Sequence, residues 1–320
     1  MSKRRIAIIF TVIGFVIISV ITFILDIGVR HSDFEQTGKV NKICSHSIDP
    51  DIIIFGSSVS EVGINSSILS NNIGISVYNC SLNGTRYMQY KGLIEEFNTY
   101  SKNNKYVVLV ETYFSFEQGN ALAYAERYLS RLDDKYLYND LYDLQPDLVW
   151  KCKYVPFYKY IALSKDYYKN SVIGWKNILL KNVKNDDDLG FYPVDRNWEA
   201  DADEAIKNTT AFEIKIDSSI VYNYINSIKN LQKNGKKVII VLTPMYFKIL
   251  NTKTDFTPLR KELTKIAQIT GVRFLDFSNC DISNNKNNYY NTNHLNYKGA
   301  NIFSSVLSDS LNIIIKKTTH

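Results

Sequence analysis

A serine-rich turn directly after an apolar segment is the first feature of the sequence that could carry chemistry. Residues 51–55 (DIIIF) are typical of a buried strand, and they lead straight into Gly56, Ser57 and Ser58. Such a turn is either an ordinary tight connection to a helix or a place where a serine hydroxyl is presented at the edge of a sheet. A serine presented in this way can attack an acyl group if a base lies within hydrogen-bonding reach.

The four histidines of the chain are the candidate bases, and their positions separate them. His31 follows the apolar N-terminal segment, and His320 is the last residue. His46 precedes the first predicted strand, so we expect it at the opposite edge of the sheet. Only His294 lies in a loop that follows a predicted strand and precedes a predicted helix. Position alone therefore selects His294 as the base.

Alternating strand and helix patterns define the elements that must position these residues. Five short apolar segments are separated by helical patterns: 51–55, 75–80, 105–111, 236–244 and 272–277. This alternation predicts an α/β fold with one parallel five-stranded sheet and helices on both of its faces. In such a sheet ligands bind beyond the carboxyl ends of the strands, which is where the serine turn and the His294 loop are expected.

A long insertion separates the third predicted strand from the helix that leads to the fourth. It covers about residues 113–217 and contains all three tryptophans, Trp150, Trp175 and Trp198. So aromatic a segment is not typical of disorder, and we expect a mostly helical subdomain or lid. Its aromatic side chains could stack on sugars, although aromatic residues in an insertion more often form a core.

The N-terminus predicts a membrane anchor. Residues 6–25 carry no charge and follow Lys3, Arg4 and Arg5. About 20 residues at 1.5 Å per residue span the hydrocarbon layer, and basic residues stay on the cytoplasmic side. We expect a single-pass protein of the cell membrane with an anchor at 1–26, a stem at 27–49 and an extracytoplasmic domain at 50–320. A cleaved signal peptide is the alternative.

Several other classes of site receive no support. Three of the basic residues behind the net charge of +6 precede the apolar run at 6–25, and the rest of the chain carries only 6 − 3 = +3, so no nucleic-acid partner is expected. No G-x-G-x-x-G or P-loop pattern is present, so no cofactor is predicted. The acidic segments 184–190 and 201–205 lack calcium-loop spacing, and we interpret them as solvated turns rather than metal sites. The cysteines, whose pairing the sequence leaves open, are Cys44, Cys80, Cys152 and Cys280.

The chain resembles the SGNH (GDSL-type) hydrolase superfamily, and especially its membrane-anchored bacterial branch linked to acyl modification of cell-surface polysaccharide or teichoic acid. The resemblance rests on the Gly56-Ser57-Ser58 turn, on Gly84 in NCSLNGT and on His294 in NTNHLNYKGA. It implies a flavodoxin-like three-layer sandwich with Ser58 as the nucleophile. Ser57 and Ser60 are the alternative candidates for the nucleophile. It also implies an oxyanion hole formed by the backbone N–H groups of Ser58 and Gly84.

The chain departs from the family at two positions. The third family block offers Glu111 and Thr112 where an Asn is usual, and Asn291 stands where the last block has Asp. The resemblance then implies a weakened triad in which His294 is poorly oriented and its imidazolium poorly stabilised. A substitute acid, Asp276 or Asp281, is the alternative.

The resulting functional expectation is an esterase or O-acyltransferase acting on a cell-surface glycan or acylated glycan, with a membrane-bound O-acyltransferase as a possible partner. The rival hypothesis is a catalytically impaired SGNH-fold protein that binds glycan or assembles an envelope polysaccharide-modification system. The missing Asp and the missing Asn of the third block favour the rival, whereas Ser58, Gly84 and His294 favour the enzyme.

Overall fold

The computed structural model describes residues 2–119, 121–163, 165–181, 188–199, 202–208, 212–246, 248 and 254–316. The chain divides into two compact units. Unit 1 comprises Met1–Ile48, Glu95–Phe97 and Asn120–Asn185, and unit 2 comprises Asp49–Ile94, Asn98–Gly119 and Asp186–His320. The predicted stem thus falls mostly in unit 1, and the predicted insertion is shared between the two units.

The helices of the described residues are named here in chain order. They are α1 (Lys3–Arg30), α2 (Glu35–Cys44), α3 (Ser58–Glu61), α4 (Ser66–Ile73), α5 (Tyr87–Tyr100), α6 (Lys135–Leu144), α7 (Pro146–Tyr154), α8 (Tyr158–Ala162), α9 (Lys165–Leu180), α10 (Ala202–Asn208), α11 (Ser218–Lys233), α12 (Thr257–Thr270) and α13 (Tyr297–Lys316).

Unit 2 contains the predicted five-stranded parallel sheet. Its strands are β1 (Ile52–Gly56), β2 (Val77–Asn79), β3 (Tyr106–Glu111), β4 (Lys237–Leu242) and β5 (Arg273–Asp276). They lie in the order β2-β1-β3-β4-β5, and each neighbouring pair is parallel. This is the strand order of flavodoxin-like folds, so the predicted fold class is confirmed. β1 and β3 are buried along their whole length, as expected for strands covered by helices on both faces.

The helices that feed β4 and β5 end where the sequence predicts. Asp217 caps the start of α11 by accepting hydrogen bonds from the amides of Ser219 and Ile220. Gly235 follows α11 with φ +79°, and Gly271 ends α12 with φ +70°. Both glycines occupy the left-handed region that terminates helices. These stops set where β4 and β5 begin and therefore where their carboxyl ends lie.

Unit 1 is helical in its described part and is built around α1. This 28-residue helix is long and apolar enough to cross a membrane, as an anchor or as a signal sequence, and little of it is buried within the structure. Its C-terminal end packs against α9. A Cβ at Gly174 of α9 would lie 1.7 Å from the carbonyl oxygen of Gly28, so the two backbones approach at a distance that only glycine permits. None of the four cysteines, all of which lie among the described residues, forms a disulfide bond.

Candidate active site

Ser58 lies at the carboxyl end of β1, as the first residue of α3. The turn that precedes it presses against the next strand: a Cβ at Gly56 would lie 2.8 Å from the carbonyl oxygen of Val110 in β3. Glycine is therefore required there for close packing rather than for φ. Ser57 stands at the N-cap position of α3 in an extended conformation. Ser58, 8% exposed, therefore lies where β1 ends and α3 begins, at the carboxyl edge of the sheet.

The buried side chain of Asn79 at the end of β2 holds this turn in place. Its amide nitrogen donates to the carbonyl oxygens of Ser60 (2.9 Å) and Ile64 (3.0 Å), and its oxygen accepts from the backbone N–H of Ser81 (3.0 Å). The hydroxyls of Ser60 and Ser81 lie 2.7 Å apart. Ser60 therefore serves the scaffold, which removes it as a nucleophile candidate.

The structure also separates Ser57 from Ser58. The buried hydroxyl of Ser57 has no hydrogen-bond partner among the described residues. The hydroxyl of Ser58 lies 2.8 Å from Nε2 of His294. Of the three serines in this segment, Ser58 is the one that the structure brings to the predicted base.

The loop that carries His294 is fixed to the start of α13 by Asn296 and Gly299. The side chain of Asn296 donates to the carbonyl oxygen of Asn287 at 2.9 Å and accepts from the amide of Gly299 at 3.0 Å. A Cβ at Gly299 would lie 2.1 Å from the carbonyl oxygen of Asn288. The H-L-N-x-x-G segment is therefore a structural unit that brings the loop back across the first turn of α13.

The side chain of Asn291 completes a chain of three side chains. Its Oδ1 lies 3.0 Å from Nδ1 of His294, and it also accepts from the backbone N–H groups of Asn293 (3.2 Å) and His294 (3.0 Å). Two backbone donors fix the oxygen, rather than the NH₂ group, as the atom facing the ring. Nδ1 must then carry the proton, which leaves Nε2 free to accept one from Ser58. The expected poor orientation is not observed, because Asn291 holds the tautomer that a base requires.

The environment of His294 favours the neutral imidazole. Burial lowers the pKa of His294 to about 4 from its ordinary value near 6.5. Among the described residues no carboxylate is hydrogen-bonded to the ring to offset that desolvation, since Asn291 occupies Nδ1 and Ser58 lies at Nε2. Tyr290 stacks on the ring with centroids 5.5 Å apart and planes inclined by 20°. At neutral pH the imidazole is therefore in the form that can take a proton.

Neither of the alternative acids is the hydrogen-bond partner of His294 Nδ1, which is Asn291. Asp276 accepts from the hydroxyl of Ser278 at 2.6 Å and pairs with Arg260 at 3.0 Å. Asp281 lies in an exposed position in the short helical turn Asp281–Asn284, whereas Asn291 occupies Nδ1 of His294. The geometry thus gives the third place of the chain to Asn291 and not to a substitute acid.

Glu111, which stands near the position of the missing family Asn, is a core residue. It is fully buried, and its Oε1 accepts from the hydroxyl of Tyr90 at 3.3 Å. Burial raises the pKa of Glu111, with hydrogen bonds from Ser115, Tyr224 and Tyr90 opposing the shift. These partners place the carboxyl inside unit 2, so it offers no replacement for a side-chain donor at the site.

The two residues of the predicted oxyanion hole follow neighbouring strands, Ser58 after β1 and Gly84 after β2. The Ser58 amide belongs to the first turn of α3, where N–H groups lack an intrahelical acceptor. Gly84 follows β2 with φ +67°, a conformation that favours glycine. The loop that carries Gly84 is bound to the serine turn, because the Leu82 amide and the Thr85 hydroxyl donate to the Gly56 carbonyl oxygen at 3.0 and 3.3 Å. The shared role of Ser58 and Gly84 stays a prediction.

Sequence reasoning missed residues 188–199, which unit 2 places beside the site. The amide of Asn79 donates to Leu189, that of Tyr192 to Glu61 and that of Tyr297 to Val194, at 2.8–3.0 Å. The amide of Glu199 also donates to the carbonyl oxygen of Tyr290 at 2.9 Å. This segment, named here the strap, connects the end of β2, α3 and the His294 loop. Its contacts are all distant in sequence, and no local signal identified it.

The other histidines and the acidic segments are not members of the Ser58–His294–Asn291 chain of side chains. His31 ends α1, and His46 lies 2.5 Å from a carboxylate oxygen of Glu96; both histidines belong to unit 1. His320, together with 184–187 and 201 of the acidic segments, lies outside the described residues. Within the described ranges no group of three or more His, Cys, Asp or Glu side chains could hold a metal ion.

The sheet order and the Ser58–His294–Asn291 geometry together define an α/β protein with the SGNH-type fold expected from its motifs. No protein-family model matches the chain, and no curated protein matches it. Among solved structures, a protein of Streptococcus pneumonia assigned as a platelet activating factor matches with TM-score 0.45 and 10% identity over 88% of this chain and 92% of its own. A lipolytic protein assigned to the G-D-S-L family, from Desulfitobacterium hafniense DCB-2, matches with TM-score 0.39 and 10% identity. The match covers 81% of this chain and 98% of that protein. The functional argument therefore depends on the chain's own geometry.

Proposed function

We propose that the protein is a membrane-anchored, extracytoplasmic serine enzyme that cleaves or transfers the acyl group of an ester on a cell-surface glycan. The observation that carries the chemistry is the continuous path from Ser58 Oγ to His294 Nε2 and from His294 Nδ1 to Asn291 Oδ1, with distances of 2.8 and 3.0 Å. A hydroxyl, a neutral imidazole and a fixed acceptor in this order are the parts that nucleophilic acyl transfer requires.

Each step uses a group already in position. Ser58 Oγ attacks the acyl carbon as its proton passes to Nε2 of His294, and the carbonyl oxygen takes the negative charge. The amides of Ser58 and Gly84 stabilise that oxyanion. The imidazolium then returns its proton to the departing alcohol, which leaves an acyl ester on Ser58. A second nucleophile, activated by His294, releases the acyl group and restores Ser58.

The choice between hydrolysis and transfer depends on that second nucleophile. Water gives an esterase, and a sugar hydroxyl gives an O-acyltransferase. Support for a glycan substrate comes from the motif resemblance. The aromatic rings near the His294 loop pack on one another in the core instead, since Tyr246 and Tyr289 are 3% and 0% exposed. For transfer, a membrane-bound O-acyltransferase is the proposed partner that would supply the activated acyl group.

Turnover of an acetyl ester by the full chain tests the proposal. We expect purified protein in nanodiscs to release p-nitrophenol from p-nitrophenyl acetate, and to form acetylated sugar if an oligosaccharide acceptor intercepts the acyl-enzyme. Ser58→Ala should abolish both products. Ser57→Ala is the matched control, because it removes a hydroxyl without a hydrogen-bond partner among the described residues. Equal turnover in wild type and Ser58→Ala would contradict the proposal, as would an inactive wild type that still binds glycan, the result expected of a catalytically impaired SGNH-fold protein.

A further inference from the structure

Helix α9 crosses α1 at the outer end of the apolar run. One side of α9 contacts α1 near the end of that run: the Ser171 hydroxyl donates to the carbonyl oxygen of Leu25 and the Trp175 indole N–H to that of Ile24, both at 2.9 Å. The other side contacts the chain beyond the run, where Asn177 donates to the carbonyl oxygen of His31 at 3.1 Å. The contacted positions Ile24 and His31 are seven residues apart, so they lie about 10 Å apart along α1, which is close to the diameter of one helix. The axis of α9 therefore runs across α1 rather than along it.

An exposed apolar stripe occupies the side of α9 that adjoins the Leu25 and Ile24 contacts. Tyr168, Val172 and Leu179 are 40%, 69% and 74% exposed. Their spacing of four and seven residues puts them on one side of the helix, in line with Trp175. Because Trp175 reaches Ile24 while Asn177 reaches His31, this stripe faces towards the apolar run of α1 and away from the polar segment that follows it.

Lysines flank the apolar stripe. Lys165, Lys169 and Lys176 follow the same four- and seven-residue spacing and lie next to the stripe on the helical surface. Lys165 and Lys176 are exposed, and Lys169 Nζ lies 3.8 Å from the ring centroid of Phe34. An apolar stripe containing Trp and Tyr, bordered by lysines, is the pattern of a helix that lies in the interface of an anionic bilayer.

We propose that α9 lies flat on the outer surface of the membrane, with Tyr168, Val172, Trp175 and Leu179 at the boundary between lipid headgroups and acyl chains. The inference rests on the proposed topology in which α1 is retained as an anchor. Lipid is the occupant favoured over a protein because the stripe continues an apolar surface that belongs to the bilayer: Phe23 and Ile24, beside the Trp175 contact, are themselves 67% and 46% exposed.

Site-specific fluorescence of the full chain in anionic liposomes tests this proposal. An environment-sensitive NBD probe is attached at Val172→Cys or Leu179→Cys, in a background where Cys44 and Cys280 are replaced by Ser. The remaining cysteines, Cys80 and Cys152, are 1% and 2% exposed and should not react. We expect blue-shifted emission at 172 and 179, and at least about threefold stronger quenching by lipids with a shallow nitroxide than at Asp166→Cys, an exposed control position on another side of α9.

The possible outcomes separate failure of this proposal from failure of the topology. A probe at Phe15→Cys in α1 reports the anchor by its quenching with deep nitroxides. Deep quenching at 15 together with equal, water-like emission at 166, 172 and 179 would overturn the interfacial role of α9 and leave the anchor intact. Blue-shifted emission at 172 and 179 without lipid quenching would show that protein covers the stripe, which also overturns the proposal. Loss of residue 15 from the mature chain would remove the topology on which the inference rests.

Discussion

Asn291 accepts three hydrogen bonds through a single oxygen, and this decides how well His294 can act as a base. In a serine protease the exchange of the triad Asp for Asn lowers turnover by about 10⁴, because the amide holds the wrong tautomer of the histidine. Here the backbone amides of Asn293 and His294 turn the oxygen of Asn291 towards Nδ1. The tautomer is retained, so the site lacks only the negative charge that would stabilise the imidazolium.

Asn291→Asp should therefore increase turnover. The two backbone N–H groups that hold Oδ1 would also stabilise a carboxylate, and that charge would raise the pKa of His294. We expect kcat for an acetyl ester to rise by about tenfold, less than the roughly 10⁴ associated with a wrong tautomer. Steady-state kinetics of the two proteins provide the test. An unchanged or lower kcat in an active, folded variant would show that the charge is not what the wild-type site lacks.

The pH dependence of ester turnover by the wild-type protein should reveal the neutral imidazole. Catalysis needs unprotonated His294, and burial lowers its pKa to about 4. We expect kcat/KM to stay level from neutral pH down to about pH 5 and to reach half its maximum near pH 4, with circular dichroism confirming that the fold persists. In Asn291→Asp the acidic limb of the pH profile, where kcat/KM falls as His294 is protonated, should move to higher pH. A wild-type limb at pH 6.5 or above would contradict the proposed environment of the ring.

At the scale of elements, the serine turn is positioned mainly by the neighbouring edge strand. Asn79 at the end of β2 ties together the turn, α3 and the segment after β2 through three buried hydrogen bonds. The strap then covers the same strand end, because the amide of Asn79 donates to the carbonyl oxygen of Leu189 at 2.9 Å. The nucleophile is thus held by connections between elements rather than by the four-residue helix α3 itself.

Asn79→Ala should destabilise the protein by about 2–4 kcal/mol, because it leaves buried backbone groups of Ser60, Ile64 and Ser81 without their partner. Asn234→Ala is the matched control: this asparagine is exposed, its side chain donates one long hydrogen bond of 3.3 Å, and its loss should cost no more than about 0.5 kcal/mol. Denaturant unfolding in detergent measures both. Equal stability of the two variants would mean that Asn79 does not hold the turn.

Elements with a local sequence signal could be predicted from the sequence, whereas elements defined by contacts between distant residues could not. The five strands are short apolar runs between helix stops, so their existence and their parallel arrangement in one sheet were predictable. His294 followed from its place in that order. The strap was not predictable, since its partners Asn79, Glu61 and Tyr290 are brought to it only by the fold. Asn291 was identified from the motif. Its control of the His294 tautomer was not predictable, because it depends on how the backbone amides of the folded loop orient the Asn291 oxygen.

At the scale of the whole molecule, the proposed location of the protein depends on α1. Its apolar run behind Lys3, Arg4 and Arg5 favours a cytoplasmic N-terminus and an extracytoplasmic remainder. We expect alkaline phosphatase fused to the C-terminus to be active, and a fluorescent reporter that matures only in the cytoplasm to be dark. The opposite pattern would contradict the orientation. A mature chain that begins after residue 25 would identify α1 as a cleaved signal peptide.

Covalent labelling of Ser58 tests the central claim most directly. A fluorophosphonate reacts with a serine hydroxyl that an adjacent base activates, and peptide mass spectrometry locates the adduct. The Ser58–His294 geometry predicts one adduct, on Ser58, in the wild type and in Ser57→Ala, and none in Ser58→Ala or His294→Ala. An adduct on Ser57 or Ser60, or labelling that persists in Ser58→Ala, would contradict the assignment of the nucleophile. An unlabelled wild type without ester turnover would show that this pair of residues is not catalytic.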